Sequence, residues 1–213
     1  MKKKSAKGFI ALVGFFAAVA FGSLPQIASA QSGSIPWSTA FPSQQVTGQG
    51  TLIRWTTTGT YNANSTVCAT VAPTVCAPIP IQVTKIPSST GIITNVTLSK
   101  STNVTSSASF VIWFFSAAPV TTTQYDNTAY VAPFTADYTA GSVIGFATCS
   151  TAVQTNATTG QGAYFACTPS GNGYLPFHTV PGSQNIYALL EVTGAYAQAS
   201  NEVFTIQLGG YDD

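Results

Sequence analysis

Apolar and polar residues alternate with a period of two along much of the chain. Ile79, Ile81 and Val83 are interleaved with Pro80, Gln82 and Thr84. Ile92, Thr94, Val96 and Leu98 alternate with Ile93, Asn95, Thr97 and Ser99, and Phe204, Ile206 and Leu208 with Val203, Thr205 and Gln207. A two-residue period describes a strand with one wet and one buried face. Two runs are apolar on both faces, Phe110–Phe115, which contains Trp113, and Ile186–Leu190. Their aromatic and β-branched content reads as strands covered on both sides, with Trp113 in the core. Further strands are expected at Thr51–Thr57, Ser142–Cys149, Ala163–Thr168 and Tyr174–Thr179. Turn-formers separate them: Pro87-Ser88-Ser89-Thr90-Gly91, Gly160-Gln161-Gly162, Gly171-Asn172-Gly173 and Pro181-Gly182. No stretch after Gly22 carries apolar residues at helical spacing. Many short strands joined by Gly/Pro turns predict an all-β protein, an antiparallel, jelly-roll-like β-sandwich of about nine strands.

The first thirty residues follow another logic. Lys2, Lys3, Lys4 and Lys7 precede an apolar run from Gly8 to Gly22, and Ala28-Ser29-Ala30 supplies a small-x-small cleavage site. That tripartite pattern is a secretory leader, 1–30, whose apolar run is shorter than the roughly 20 residues a membrane span needs. Residues 31–50 read as an extended arm, Pro36 and Pro42 excluding a helix. Residues 51–213 read as one β-domain.

Composition changes the picture of the surface. Hydrophobic residues make up 45% of the chain and charged ones only 6%, against about a quarter charged in ordinary globular domains. The exterior must therefore be built of Thr, Ser, Asn, Gln and Gly. Beyond the leader remain three cations, Arg54, Lys85 and Lys100, and six acids, Asp126, Asp137, Glu191, Glu202, Asp212 and Asp213, a formal charge of −3. Three scattered cations cannot neutralise a phosphate backbone, which excludes nucleic acid as a partner. With the leader removed, no membrane association is expected either.

The four cysteines, Cys68, Cys76, Cys149 and Cys167, all follow the leader and suit an oxidising compartment. Four cysteines allow three pairings. The favoured one is Cys68–Cys76 with Cys149–Cys167, each closing a short loop, the second of 17 residues. There is no C-x-x-C spacing and only one histidine, so no metal site is expected.

Groups able to do chemistry are few. His178 stands on a strand between Phe177 and Thr179, with no nucleophile elbow near it, and reads as a strand-end histidine. Asp126, Asp137, Glu191 and Glu202 are the candidates for an acid pair. Asp126-Asn127 reads better as a turn, and alternation turns Glu191 to solvent. No catalytic residue and no cofactor are assigned. Trp55 shares its alternating face with Ile53, which directs it to the core; turned outward, it would be a platform for a sugar ring.

Residues 91–213 resemble a family of small structural proteins encoded by tailed phages and prophages. Three stretches carry the likeness. They are Gly91–Leu98 running on to Trp113–Pro119, Tyr125–Tyr130 followed by Ile144-Gly145, and Asn185–Glu191 with Gly194–Tyr196 and Phe204–Leu208. The resemblance implies an antiparallel β-sandwich with a role in virion assembly and no catalytic residues. The leader and cysteines depart from that pattern and suit a related domain displayed outside a cell. The sequence thus leads to two expectations of function: a self-associating exported structural or surface protein, and an extracellular polysaccharide-binding module.

Overall fold

The computed structural model describes residues 44–54, 60–69, 75–102, 108–119, 125–129, 142–150, 152–156, 161–199 and 201–212. The expected leader, most of the expected arm, Trp55 and Asp137 lie outside these residues. In chain order the strands are β1 (Gln44–Ile53), β2 (Thr60–Tyr61), β3 (Ser65–Val67), β4 (Ile79–Gln82), β5 (Thr90–Lys100), β6 (Phe110–Phe115), β7 (Val143–Cys149), β8 (Ala152–Asn156), β9 (Gln161–Pro169), β10 (Leu175–His178), β11 (Asn185–Val192), β12 (Tyr196–Ala197) and β13 (Val203–Asp212). Among the described residues there is no helix. The nine expected strands are all present. Of the four additional ones, β2, β3 and β12 are two or three residues long, too short for an alternating pattern to reveal them, and β8 has five residues.

All pairings are antiparallel. Eleven strands form one curled sheet in the order β1-β13-β5-β9-β7-β6-β11-β3, with β10 alongside β5, β4 alongside β11 and β8 alongside β9. A two-stranded ribbon, β12 with β2, stands apart from it. The curl brings the arms of the sheet onto a common core. Phe110 of β6 meets Phe165 of β9 edge-on at 5.4 Å between ring centroids, and Phe204 of β13 at 5.7 Å. Leu98, Ile112, Leu190 and Ile206 fill the same core.

The arms join where β9 passes from β5 to β7. Ala163–Cys167 pair with β5, but only Thr168 and Pro169 pair with β7, opposite Thr148 and Ala147. Cys149 and Cys167 occupy the next opposed position and form a disulfide, Cα atoms 4.3 Å apart. The second pair, Cys68–Cys76, follows β3, with Cα atoms 5.2 Å apart. Both are the pairings expected from loop closure.

The strand β6 lies between β7 and β11 with both faces covered, as its all-apolar sequence predicts. Phe110, Ile112 and Phe114 point into the main core. Trp113, expected there too, lies on the opposite face, half-buried against a smaller cluster of Cys68, Cys76, Phe115 and Leu189.

β1 begins seven residues before the expected strand start at Thr51, absorbing Gln44–Gly50 of the expected arm and pairing with β13 along its whole length. Its inward positions are Val46, Gly48, Gly50 and Leu52, and the two glycines erase the apolar signal there. They are glycines because β4 lies against them. A Cβ on Gly48 would sit 2.6 Å from the Gln82 carbonyl oxygen and 2.9 Å from Ile81 Cγ2. Gly48→Ala is therefore expected to destabilise by about 1–3 kcal/mol, overpacking outweighing any gain from a stiffer unfolded chain. A thermal melt reads this directly; an unchanged or raised midpoint would show that the two arms separate without cost.

Parity also corrects the reading of Thr51–Thr57. Leu52 and Arg54 face inward and Ile53 is exposed, so the premise that Ile53 marks the core side does not hold.

Candidate functional site

The described charges are almost all withdrawn from the surface. Arg54, Lys100, Asp126, Glu191, Glu202 and Asp212 are buried; among the described residues with a formal charge, only Lys85 is exposed. Isolated charges in a protein interior are very costly, so buried ones are paired. Arg54 Nη1 lies 2.5 Å from Asp126 Oδ2, both side chains at most 1% exposed. Asp126 Oδ1 also accepts hydrogen bonds from the Tyr61 hydroxyl at 2.6 Å and the Cys68 backbone N–H at 3.1 Å. The Arg54 guanidinium stands over the Tyr61 ring and donates to the Cys68 carbonyl. Burial, and then the neighbouring Asp126 carboxylate, push the Tyr61 hydroxyl well above the ordinary phenol range. In the second pair Lys100 Nζ lies 2.7 Å from Glu202 Oε1, which also accepts from the Thr102 hydroxyl. The two pairs are linked through the backbone, the Arg54 N–H donating to the Glu202 carbonyl at 2.9 Å.

The candidate acids that lie among the described residues, Asp126, Glu191 and Glu202, are thus committed to structure. Asp126-Asn127 is the expected turn, Asn127 taking a φ of 54°, but its carboxylate also holds Arg54. Glu191, expected to face solvent, is buried and accepts a hydrogen bond from Trp113 Nε1 at 2.8 Å, because β11 has both faces covered. Burial raises its carboxyl above the ordinary 4.5, partly offset by the Trp113 bond. The unfolded state then loses its proton first, so stability falls as pH rises through the window above about 4.5. Glu191→Gln keeps an acceptor for Trp113 and removes the ionisation. It is expected to be more stable than the wild type at pH 7 and indistinguishable from it below pH 4. Thermal melts across that pH range test this; parallel pH profiles for the two proteins would refute it.

What faces solvent is a broad uncharged surface on β1, β13 and β5. Register aligns the side chains of this face in rows, Gln45–Tyr211–Ile92, Gln49–Gln207–Thr97 and Thr51–Thr205–Ser99, of which Thr97 is buried. β10 extends the first row with Pro176. Ile92, Tyr164 and Tyr211 are exposed at 38%, 37% and 46%. Two depressions mark this face. One of about 640 Å³ is lined by Thr90, Ile92, Pro176, Phe177, His178 and Tyr211. The other, about 540 Å³, is lined by amides and hydroxyls with Tyr164. His178 is the last residue of β10, exposed, opposite Thr90; among the described residues no carboxylate hydrogen-bonds it. Nor do three His, Cys, Asp or Glu side chains cluster as metal ligands among those residues.

The site expectations therefore divide. The cysteines come together as two pairs, which suits an oxidising environment. Trp55 lies outside the described residues. Sequence reasoning missed the two ion pairs, although the alternation of β1 held a signal: Arg54 shares parity with Leu52, so a charge on the inward face required a partner. No protein-family model, curated protein or solved structure matches this chain.

Proposed function

We propose that this protein is a non-catalytic structural or surface protein, exported to an oxidising compartment outside the cytosol, that builds an assembly from copies of itself. The observation that carries the reading is the withdrawal of charge. With Arg54, Lys100, Asp126 and Glu202 neutralised inside, the exterior offers amides, hydroxyls and a few phenol rings. Such a surface opposes self-association with little like-charge repulsion. The disulfides support the compartment, and the leader pattern of residues 1–30 supports export. The resemblance read in residues 91–213 to small structural proteins of tailed phages favours an assembly role. The mature chain, beginning at Gln31, is expected to associate as concentration rises, with little dependence on salt. Light scattering at low and high ionic strength measures this, and negative-stain microscopy distinguishes filament, array and particle. A monomer at every concentration would overturn the reading.

A second reading, an extracellular polysaccharide-binding module, is favoured by the depression beside Tyr211. Its lining of Ile92, Pro176, Phe177 and Tyr211, with Thr90 and His178 beside them, offers stacking and hydrogen bonding to uncharged sugar rings. Retention on a polysaccharide column that Tyr211→Ala abolishes would establish it; passage through every polysaccharide tried would remove it.

A further inference from the structure

We propose that the free edge of β1 is the self-association site, and that it pairs with β1 of a second copy in antiparallel register about a two-fold axis through Gln49. The proposal rests on the self-association reading above and names its surface.

Among the described residues of the eleven-stranded sheet, five strands have a partner on one side only: β1, β3, β4, β8 and β10. Sheet edges are normally blunted against unwanted pairing by shortness, proline, charge or bulges. Four of these are blunted. β3 has three residues and a bridge from Ser65 to Ala129. β4 and β10 have four residues each and contain Pro80 and Pro176, and register shifts break β8. β1 has none of these devices. Its ten residues, Gln44 to Ile53, contain no charge and no proline and pair with β13 without a bulge.

The bond directions along β1 follow from one contact. The Arg54 N–H donates to Glu202 across the β1–β13 ladder. Even-numbered residues therefore exchange hydrogen bonds with β13, and Gln45, Thr47, Gln49, Thr51 and Ile53 present N–H and C=O groups to the free edge. Paired residues must also lie on the same face, so an antiparallel partner is restricted to registers that set odd residues against odd ones. Centring on Gln49 uses all five outward residues, forming about ten hydrogen bonds, two per bonded pair; a shift by one allowed step gives about eight. In that register Thr47 faces Thr51 and Gln49 faces its own copy on the outer side. On the inner side Val46 faces Leu52 and Gly48 faces Gly50. Polar meets polar outside, and the apolar face of one sheet continues into the next.

Cysteine trapping tests the register in the full mature protein, in which no native thiol is free. Gln49→Cys places two Cα atoms about 5.5 Å apart across a bonded pair, within disulfide reach. The expected result is a covalent dimer on non-reducing electrophoresis. Thr51→Cys puts its two copies about 13 Å apart along the strands and should not cross-link alone, whereas mixed with Thr47→Cys it should. Gln49→Pro removes an outward N–H that β13 does not use. It should weaken association by about tenfold or more while the β1–β13 ladder persists. If the wild type associates but Gln49→Cys does not cross-link, or Thr51→Cys cross-links equally well, the edge proposal falls and the self-association reading stands. A wild type that never associates removes both.

Discussion

Replacing Asp126 by asparagine is expected to cost about 3–5 kcal/mol of stability, the usual consequence of stripping one partner from a buried ion pair. Asparagine retains an oxygen that accepts from the Tyr61 hydroxyl and the Cys68 N–H, so the substitution isolates the charge. What remains is the Arg54 guanidinium, fully buried, with a neutral amide in place of the carboxylate that stood 2.5 Å from it. Against a total of about 5–15 kcal/mol for a typical domain, that loss is large enough to unfold a substantial fraction of molecules at elevated temperature. The companion variant carries Arg54→Met as well. Removing both charges leaves no bare guanidinium, and the double variant should be more stable than Asp126→Asn alone. Urea denaturation of the four proteins in this cycle gives the coupling energy. An Asp126→Asn loss under about 1 kcal/mol would mean that water or another anion reaches Arg54, and would contradict the buried geometry.

The Cys149–Cys167 disulfide is expected to contribute about 3 kcal/mol, on the chain-entropy account for a sequence separation of 18. Cys68–Cys76, with a separation of 8, should contribute about 2 kcal/mol on the same account. The difference in consequence should exceed the difference in energy. Cys149 belongs to the ladder with β6 and Cys167 to the ladder with β5, and only two residue pairs otherwise join β7 to β9. Replacing both Cys149 and Cys167 by alanine should therefore loosen the joint before the rest of the sheet. Hydrogen exchange should rise first at Thr148 and Thr168 and remain slow in β5 and β13. Uniformly faster exchange across the sheet would show that the joint does not open separately.

Much of the architecture was legible because its strands have one wet face or none. Val96, Leu98, Ile206 and Leu208 are buried at alternate positions, as their spacing predicts. Ile92 and Thr94, expected on the same face as Val96, are instead exposed and Ile93 is buried, the register of β5 with β13 shifting at Gly209/Gly210. Phe110–Phe115 announced a doubly covered strand by having no polar position. The cysteine pairing followed from loop lengths alone. Illegible parts have a common physical origin: the information lay in a neighbour rather than in the segment itself. Gly48 and Gly50 make an apolar face only because Ile79 and Ile81 fill the space a side chain would take. Glu191 looked solvent-facing because alternation cannot reveal that a strand's second face is also covered. Asp126 carried a turn signature, and nothing local shows that the turn sits over Arg54, seventy-two positions earlier in the chain. The uncharged exterior was foreseeable from composition, but its concentration on the β1-β13-β5 face required the register.

Gln44 and Asp212 are opposed partners at one end of the β1–β13 ladder, so the polypeptide enters and leaves this sheet side by side. A short Gly/Ser bridge from Asp212 to Gln44 would span that gap, allowing the backbone to be reopened at the Pro181-Gly182 turn as a circular permutant. By the same geometry the domain could be grafted into a surface loop of an unrelated host without prying the host's anchoring points apart.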